Sequence, residues 1–222
     1  MINISRRTFL VSSTVNLAVL GGCVGKPWSH NSTLDFEGNN WRWSQEEQTL
    51  INEKRDDFDI VIHGGPNTRI LRSWARPVPD DLDLTEVAAR MEKTMFSANG
   101  AGLAGPQVGL SIRVATLYLD HKSIKPNLVF ARNPIIVERA DKSMDSYENC
   151  LSLPDLGGLV RRNDWVKVEY TTNAGERVTA EVEGFNAVIW QHEIDHLDGT
   201  LYVDKLISDL MTSEEMYRLR LY

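Results

Sequence analysis

The chain has 222 residues, enough for one well-buried domain and an accessory segment. Its 42% apolar and 25% charged residues describe an ordinary globular protein, and a formal charge of −7 excludes a nucleic-acid binder that meets phosphates with a basic face. With Cys23 and Cys150 as its 2 cysteines, in unlike contexts, a disulfide framework is excluded as well.

In chain order the first feature is Ser5-Arg6-Arg7-Thr8-Phe9-Leu10, followed by the apolar run Val11 to Leu20 and then Gly21-Gly22-Cys23. Twin arginines before a short apolar run resemble a twin-arginine export signal, and Leu20-Gly21-Gly22-Cys23 resembles a lipobox whose cysteine is lipidated after cleavage. The run is too short to span a bilayer, which needs about 20 apolar residues. Residues 1–22 therefore read as an export signal and Cys23 as a membrane anchor. The expected location is the bacterial envelope, or the cytoplasm if the signal is not used. Residues 23–57 are rich in Ser, Asn, Gln, Glu and Asp and read as a tether. Trp28, Trp41 and Trp43 are costly in a pure linker, and a short helix around Gln45 to Lys54 would explain them.

A catalytic domain is expected over 58–222. Ile60-Val61-Ile62 before Gly64-Gly65-Pro66 predicts a strand and a turn. Leu84, Val87, Ala88, Met91 and Met95 recur at helical spacing up to Asn99-Gly100. Four glycines in Gly100 to Gly109 argue against a regular element and for close approach of backbone to something else. A strand-like run follows at 112–119, and another at 128–139 with an interruption at Asn133-Pro134. Cys150 stands just before a proline-bounded turn, with Gly157-Gly158 after it. Trp165 to Thr171 alternates apolar and polar residues, and Asn173-Ala174-Gly175 turns it into 177–182, a hairpin.

The strongest signal comes last. Gln191-His192-Glu193-Ile194-Asp195-His196 closes the apolar run Phe185 to Trp190 in an H-E-x-x-H pattern. On a helix, positions four apart share a face, so His192 and His196 can aim at one metal ion with Glu193 beside them as a base. A catalytic site of this kind takes three protein ligands. The third is open from the residues alone: Tyr202 stands where one protease group has a histidine, Glu214 or Glu215 would be a thermolysin-like choice, and Cys150 is the thiolate choice.

Gly100 to Gln107, Glu148 to Pro154 and Gln191 to Gly199, in this order, resemble the three motifs of the peptide deformylases, G-x-G-L-A-A-P-Q, E-G-C-L-S and Q-H-E-x-D-H-L. The similarity runs from about Ile60 to Leu206. It implies an α+β fold, with antiparallel β-sheets packed around the central helix that bears H-E-x-x-H. It also implies a hydrolase that removes the formyl group from N-formylmethionyl peptides and releases formate. Cys150, His192 and His196 become ligands to one divalent metal ion, Fe2+ foremost, with Zn2+, Ni2+ or Co2+ accepted. Glu193 becomes the general base, and Gln107 and the Leu151 backbone N–H become donors to the oxyanion. Gly100 and Gly102 would let the peptide pair with the loop as an added strand, with Phe185, Val188 and Ile189 as candidates for the methionine pocket. The partners expected are formylated peptides or protein N-termini, with no nucleic acid, and the chain is expected to be a monomer. The competing readings are a zinc endopeptidase and a non-catalytic protein that captures formyl peptides. Three positions depart from the family pattern: Gly105 for an alanine, Asn149 for a glycine, and Gly157 where many members have an arginine near the substrate backbone.

Overall fold

Residues 41–120, 124 and 126–219 are described by the computed structural model. Residues 1–22, expected to be an export signal, and Cys23 and Trp28 lie outside them. Along the described chain run α1 (Gln45–Asn52), α2 (Thr85–Ser97), β1 (Gly102–Ala104), β2 (Val114–Leu119), β3 (Asn127–Arg139), β4 (Ser143–Cys150), β5 (Leu153–Asn163), β6 (Trp165–Thr172), β7 (Arg177–Glu183), α3 (Gly184–Leu197), β8 (Met211–Thr212) and α4 (Ser213–Arg218). The strands form two antiparallel sheets, one in the order β1-β2-β3-β6-β7 and one in the order β4-β5-β8. This is the α+β arrangement expected. Among the described residues no helix is long and apolar enough to cross a membrane.

The helix α3 sits where the two sheets meet because it is apolar nearly all round, and such a helix is stable only when buried. Ala187, Ile189, Trp190 and Ile194 pack with Ala115, Leu117, Ala131, Val166 and Val168 of the larger sheet. Burying side chains of this size stabilises the fold by roughly 1.5–3 kcal/mol each. Gln191 fastens the other flank: its Nε2 donates to the Asn163 carbonyl at 2.8 Å and its Oε1 accepts from the Asn163 N–H at 3.1 Å, tying β5 to the helix. The helix stops at Asp198 and Gly199, whose φ of +75° is left-handed. A Cβ there would lie 2.9 Å from the Arg72 backbone. Arg113 then donates to the Leu197 carbonyl at 3.2 Å and to Asp198 at 2.8 Å, satisfying the helix end.

Two local expectations are corrected. Residues 60–62 form no ladder, because the Val61 N–H donates to the Gln107 carbonyl and the His63 N–H to the Ser152 carbonyl, each at 2.8 Å. An extended segment thus laces two motif loops together. The glycine-rich stretch holds a regular element after all, the edge strand β1, which leads into a 3-10 turn over Gly105–Val108. The interruption expected at Asn133-Pro134 is a register shift within β3, between Arg132 and Ile135. Asn133 takes φ +51°, and its side chain bridges the Val78 N–H and carbonyl at 2.8 Å each. Gly157 and Gly158 lie inside the strand β5, which the sequence did not reveal: a Cβ on them would meet Met216 Cε at 2.6 Å and Leu206 Cδ2 at 2.4 Å.

The short helix expected around Gln45 to Lys54 is present as α1 and docks on the domain through its apolar side chains. Ser44 and Glu47 form a capping box that starts α1. Trp41, Trp43, Leu50 and Ile51 lie against the cluster of Val78, Val87, Met91 and Ile112. Apolar burial outweighs the polar composition here.

Candidate metal centre

Alternation along β4 turns Ser146, Glu148 and Cys150 inward and leaves Asn149 exposed, so the departure at 149 faces away from the buried side. On α3 the four-residue spacing brings His192 and His196 to the same point. One ligand atom from each of Cys150, His192 and His196 lies within 4.8 Å of the other two. The Cys150 Sγ is 3.2 Å from His196 Nε2, and the two imidazoles meet edge to face at 4.9 Å. Burial would raise the Cys150 thiol, but the charge of His196 and hydrogen bonds from both imidazoles overcome it and hold the thiol well below its usual range. One soft thiolate and two imidazoles, converging and buried, form a donor set that fits a divalent transition metal and leaves a coordination position for water.

A second layer of charge orients these ligands. The Nδ1 of His192 donates to Glu148 Oε2 at 2.7 Å, which turns Nε2 toward the donor cluster. Arg162 grips Glu148 with two bonds, 2.7 and 2.8 Å, and reaches Asp195 at 2.5 Å. Lys205 closes the series on Asp195 at 2.7 Å. Burial alone would raise the Glu148 carboxyl, yet Arg162 and His192 pull it down to about 2. Glu148, Arg162 and Asp195 were missed as functional residues in the sequence. A signal for Glu148 exists, because it stands two positions from the candidate ligand Cys150 on one strand and so shares its face.

Glu193 lies beside the ligands, 3% exposed, and its Oε2 finds no partner among the described residues. Burial pushes its carboxyl up to about 7 against the pull of His192 and His196. Gly102 makes room for it: a Cβ at 102 would lie 2.2 Å from Glu193 Oε1. Gln107 accepts from the Ala104 N–H at 2.8 Å and donates from Nε2 to Cys150 Sγ at 3.5 Å. At Gly105, a Cβ would stand 2.6 Å from the Ile112 carbonyl, which accounts for the missing alanine.

A cleft of about 440 Å³ opens onto this cluster. Its lining includes Gly100, Gly102, Gln107, Cys150, Leu151, Phe185, Val188, Ile189, His192 and Glu193, so it brings together the sequence-predicted site residues apart from His196 and Cys23. His196 sits behind, 1% exposed. Val188 and Ile189 are nearly buried and serve the core as well as the cleft wall, while Phe185 is half-exposed. The other candidate ligands are engaged elsewhere: Glu215 caps α4 through Thr212 at 2.7 Å, and Glu214 pairs with Arg218 at 2.5 Å.

The family model for polypeptide deformylases matches residues 58–211. A peptide deformylase of Thermus thermophilus is 38% identical over 161 residues, covering 67% of this chain and 82% of that one. One from Chlorobium limicola is 41% identical over 143 residues, 62% of this chain and 75% of that one. Among solved structures, the Thermotoga maritima peptide deformylase superposes with a TM-score of 0.62 at 35% identity, covering 69% of this chain and 100% of that one. The Acinetobacter baumannii class I type b enzyme, bound to Met-Ala-Ser, gives 0.62 at 36%, covering 68% and 98%.

Proposed function

The chain belongs to the peptide deformylase family and is a hydrolase that removes the formyl group from N-formylated peptides; from that premise we propose the roles of its own residues and the place where it acts. The observation that carries the assignment of roles is the buried, partner-lacking carboxylate oxygen of Glu193 beside the converging Cys150, His192 and His196. These three residues hold one divalent ion. It is Fe2+ on the family resemblance, although the same donors suit Zn2+, Ni2+ and Co2+. When bound, the ion would supply a Lewis acid that polarises the formyl oxygen and acidifies water enough for it to lose a proton near neutral pH.

Glu193 takes the proton of the attacking water and passes it to the departing amine, as its raised pKa allows. A C–O bond forms at the formyl carbon, the C–N bond breaks, and formate leaves with the peptide amine freed. Gln107 Nε2 and the Leu151 N–H stabilise the charge that builds on the carbonyl oxygen, each contributing on the order of 100- to 1000-fold in rate. Gly100, just before the edge strand β1, and Gly102, its first residue, pair with the peptide backbone, and Phe185, Val188 and Ile189 receive the methionine side chain.

The test is incubation of a formyl-Met peptide with the full chain loaded with iron anaerobically or with nickel. Stoichiometric formate with every internal amide bond intact supports the reading. Internal cleavage would return the endopeptidase, and binding without turnover the capture protein.

The place of action is proposed from Arg6-Arg7 and Cys23: export, lipidation of Cys23, and a monomer anchored in the bacterial envelope acting on formylated peptides there. Cell fractionation beside Cys23→Ser decides it, since a wild type found wholly soluble in the cytosol excludes the anchor.

A further inference from the structure

The lip of the cleft is built by an irregularity in β5. Asn149 pairs with Gly157, yet the next residue of β4, Cys150, pairs with Leu153, so residues 154, 155 and 156 bulge out with no partners on β4. Pro154, Asp155 and Leu156 all line the cleft. Asp155 takes φ +61°, a left-handed conformation that an aspartate tolerates but does not prefer, and it is exposed. The base of the bulge is pinned: Leu156 pairs with Thr212 and Gly157 with Met211 of β8. A Cβ at 157 would also lie 2.7 Å from the Glu148 carbonyl, so no side chain can project there. The bulge therefore holds Asp155 at a fixed place on the mouth.

Charge is one-sided along this cleft. Its carboxylates are Glu148, Glu193 and Asp155, and neither lysine nor arginine lines it among the described residues. Glu148 is neutralised by Arg162 and His192, and Glu193 is buried at the floor. That leaves Asp155 as the exposed charge facing an incoming peptide.

We propose that Asp155 selects among peptide substrates: its carboxylate favours a cationic side chain on the second or third residue and disfavours an acidic one. This inference rests on the deformylase reading. It names a preference of this chain that follows from the bulge and from the glycine at 157.

The experiment uses the full chain and C-terminally amidated formyl-Met peptides carrying lysine, alanine or glutamate at the second or the third position. Asp155→Asn keeps the left-handed backbone and removes the charge. Exposed charge pairs give about two- to fivefold, so kcat/KM is expected to rank lysine, alanine, glutamate with steps of that size at the responsible position. The spread should contract at high ionic strength, as screening of an exposed charge requires. In Asp155→Asn the lysine and glutamate peptides should converge on the alanine peptide, so that the three give one kcat/KM. A flat ranking in the wild type, or a ranking that survives in Asp155→Asn, overturns the proposal. Failure to turn over even the alanine peptide would instead count against the deformylase reading. The same comparison then passes to calorimetric affinities of the deformylated peptides.

Discussion

Two glutamates of this molecule are buried to nearly the same degree, Glu47 at 2% and Glu193 at 3%, in opposite surroundings. Glu47, on α1, accepts from the Ser44 N–H at 2.8 Å and from the Ser111 N–H at 3.0 Å, and it pairs with Arg76. Glu193, on α3, leaves one oxygen without a partner among the described residues and sits against a thiolate and two imidazoles. A buried charge is tolerated when its lone pairs are satisfied and costly when they are not. Satisfaction marks Glu47 as a brace. The open oxygen fits the proton-carrying role proposed for Glu193, and on that reading the same depth of burial serves stability in one region and chemistry in the other.

The largest test of this contrast is Glu193→Gln. Formate release should fall by about 100- to 10,000-fold, the range of a lost general base. Bound metal should persist, and the thermal midpoint should hold or rise, because an unsatisfied buried charge has been removed. A variant that lost its fold instead would erase the distinction.

Next comes Glu148→Gln, which stands between the two cases: satisfied, yet wired to a ligand. Metal affinity, read by competition with a chelator, should weaken by about 10- to 100-fold. Acid stability sharpens the point. The Glu148 carboxyl sits at about 2 in the folded chain against an ordinary 4.5, so folding favours its ionised form. That contribution is complete above pH 4.5 and disappears as pH falls toward 2. It is on the order of 3 kcal/mol. Urea unfolding of the metal-free protein between pH 5 and 2 should show a shallower loss in Glu148→Gln than in the wild type.

The smallest effect is expected from Glu47→Ala, which should destabilise the fold by about 1–3 kcal/mol, because it strips partners from Ser111 and the partly exposed Arg76. At temperatures well below the midpoint, kcat should not change. A loss of kcat without a loss of stability would make the brace part of the catalytic machinery.

Much of the site was legible in the sequence because its chemistry is local. His192, Glu193 and His196 share one helix, and the helical repeat alone brings them together. Cys150 was legible only through its motif, since nothing in its own neighbourhood distinguishes a ligand from a small core residue. The ion pairs of Arg162 were not legible, because its partners Glu148 and Asp195 lie 14 and 33 residues away and meet only after β4, β5 and α3 have packed. The strand β5 was hidden by Gly157-Gly158, which punctuate most sequences but here yield space to Met216 and Leu206. Residues 60–62 carried the composition of a strand without the geometry, as their N–H groups serve two loops and not a neighbouring strand.

Arg162 touches Glu148 and Asp195 at once, and through them His192 and Lys205, so the charges alternate in sign from Glu148, which accepts from the candidate ligand His192, out to the surface. For the history of this chain, that continuity means epistasis. Replacing any inner member singly strands the charge of its neighbour, so double-mutant cycles between Glu148 and Arg162 should depart far from additivity. Substitutions along the series have to arrive in compensating pairs, and the five residues are expected to be inherited as a block while the surface around them drifts.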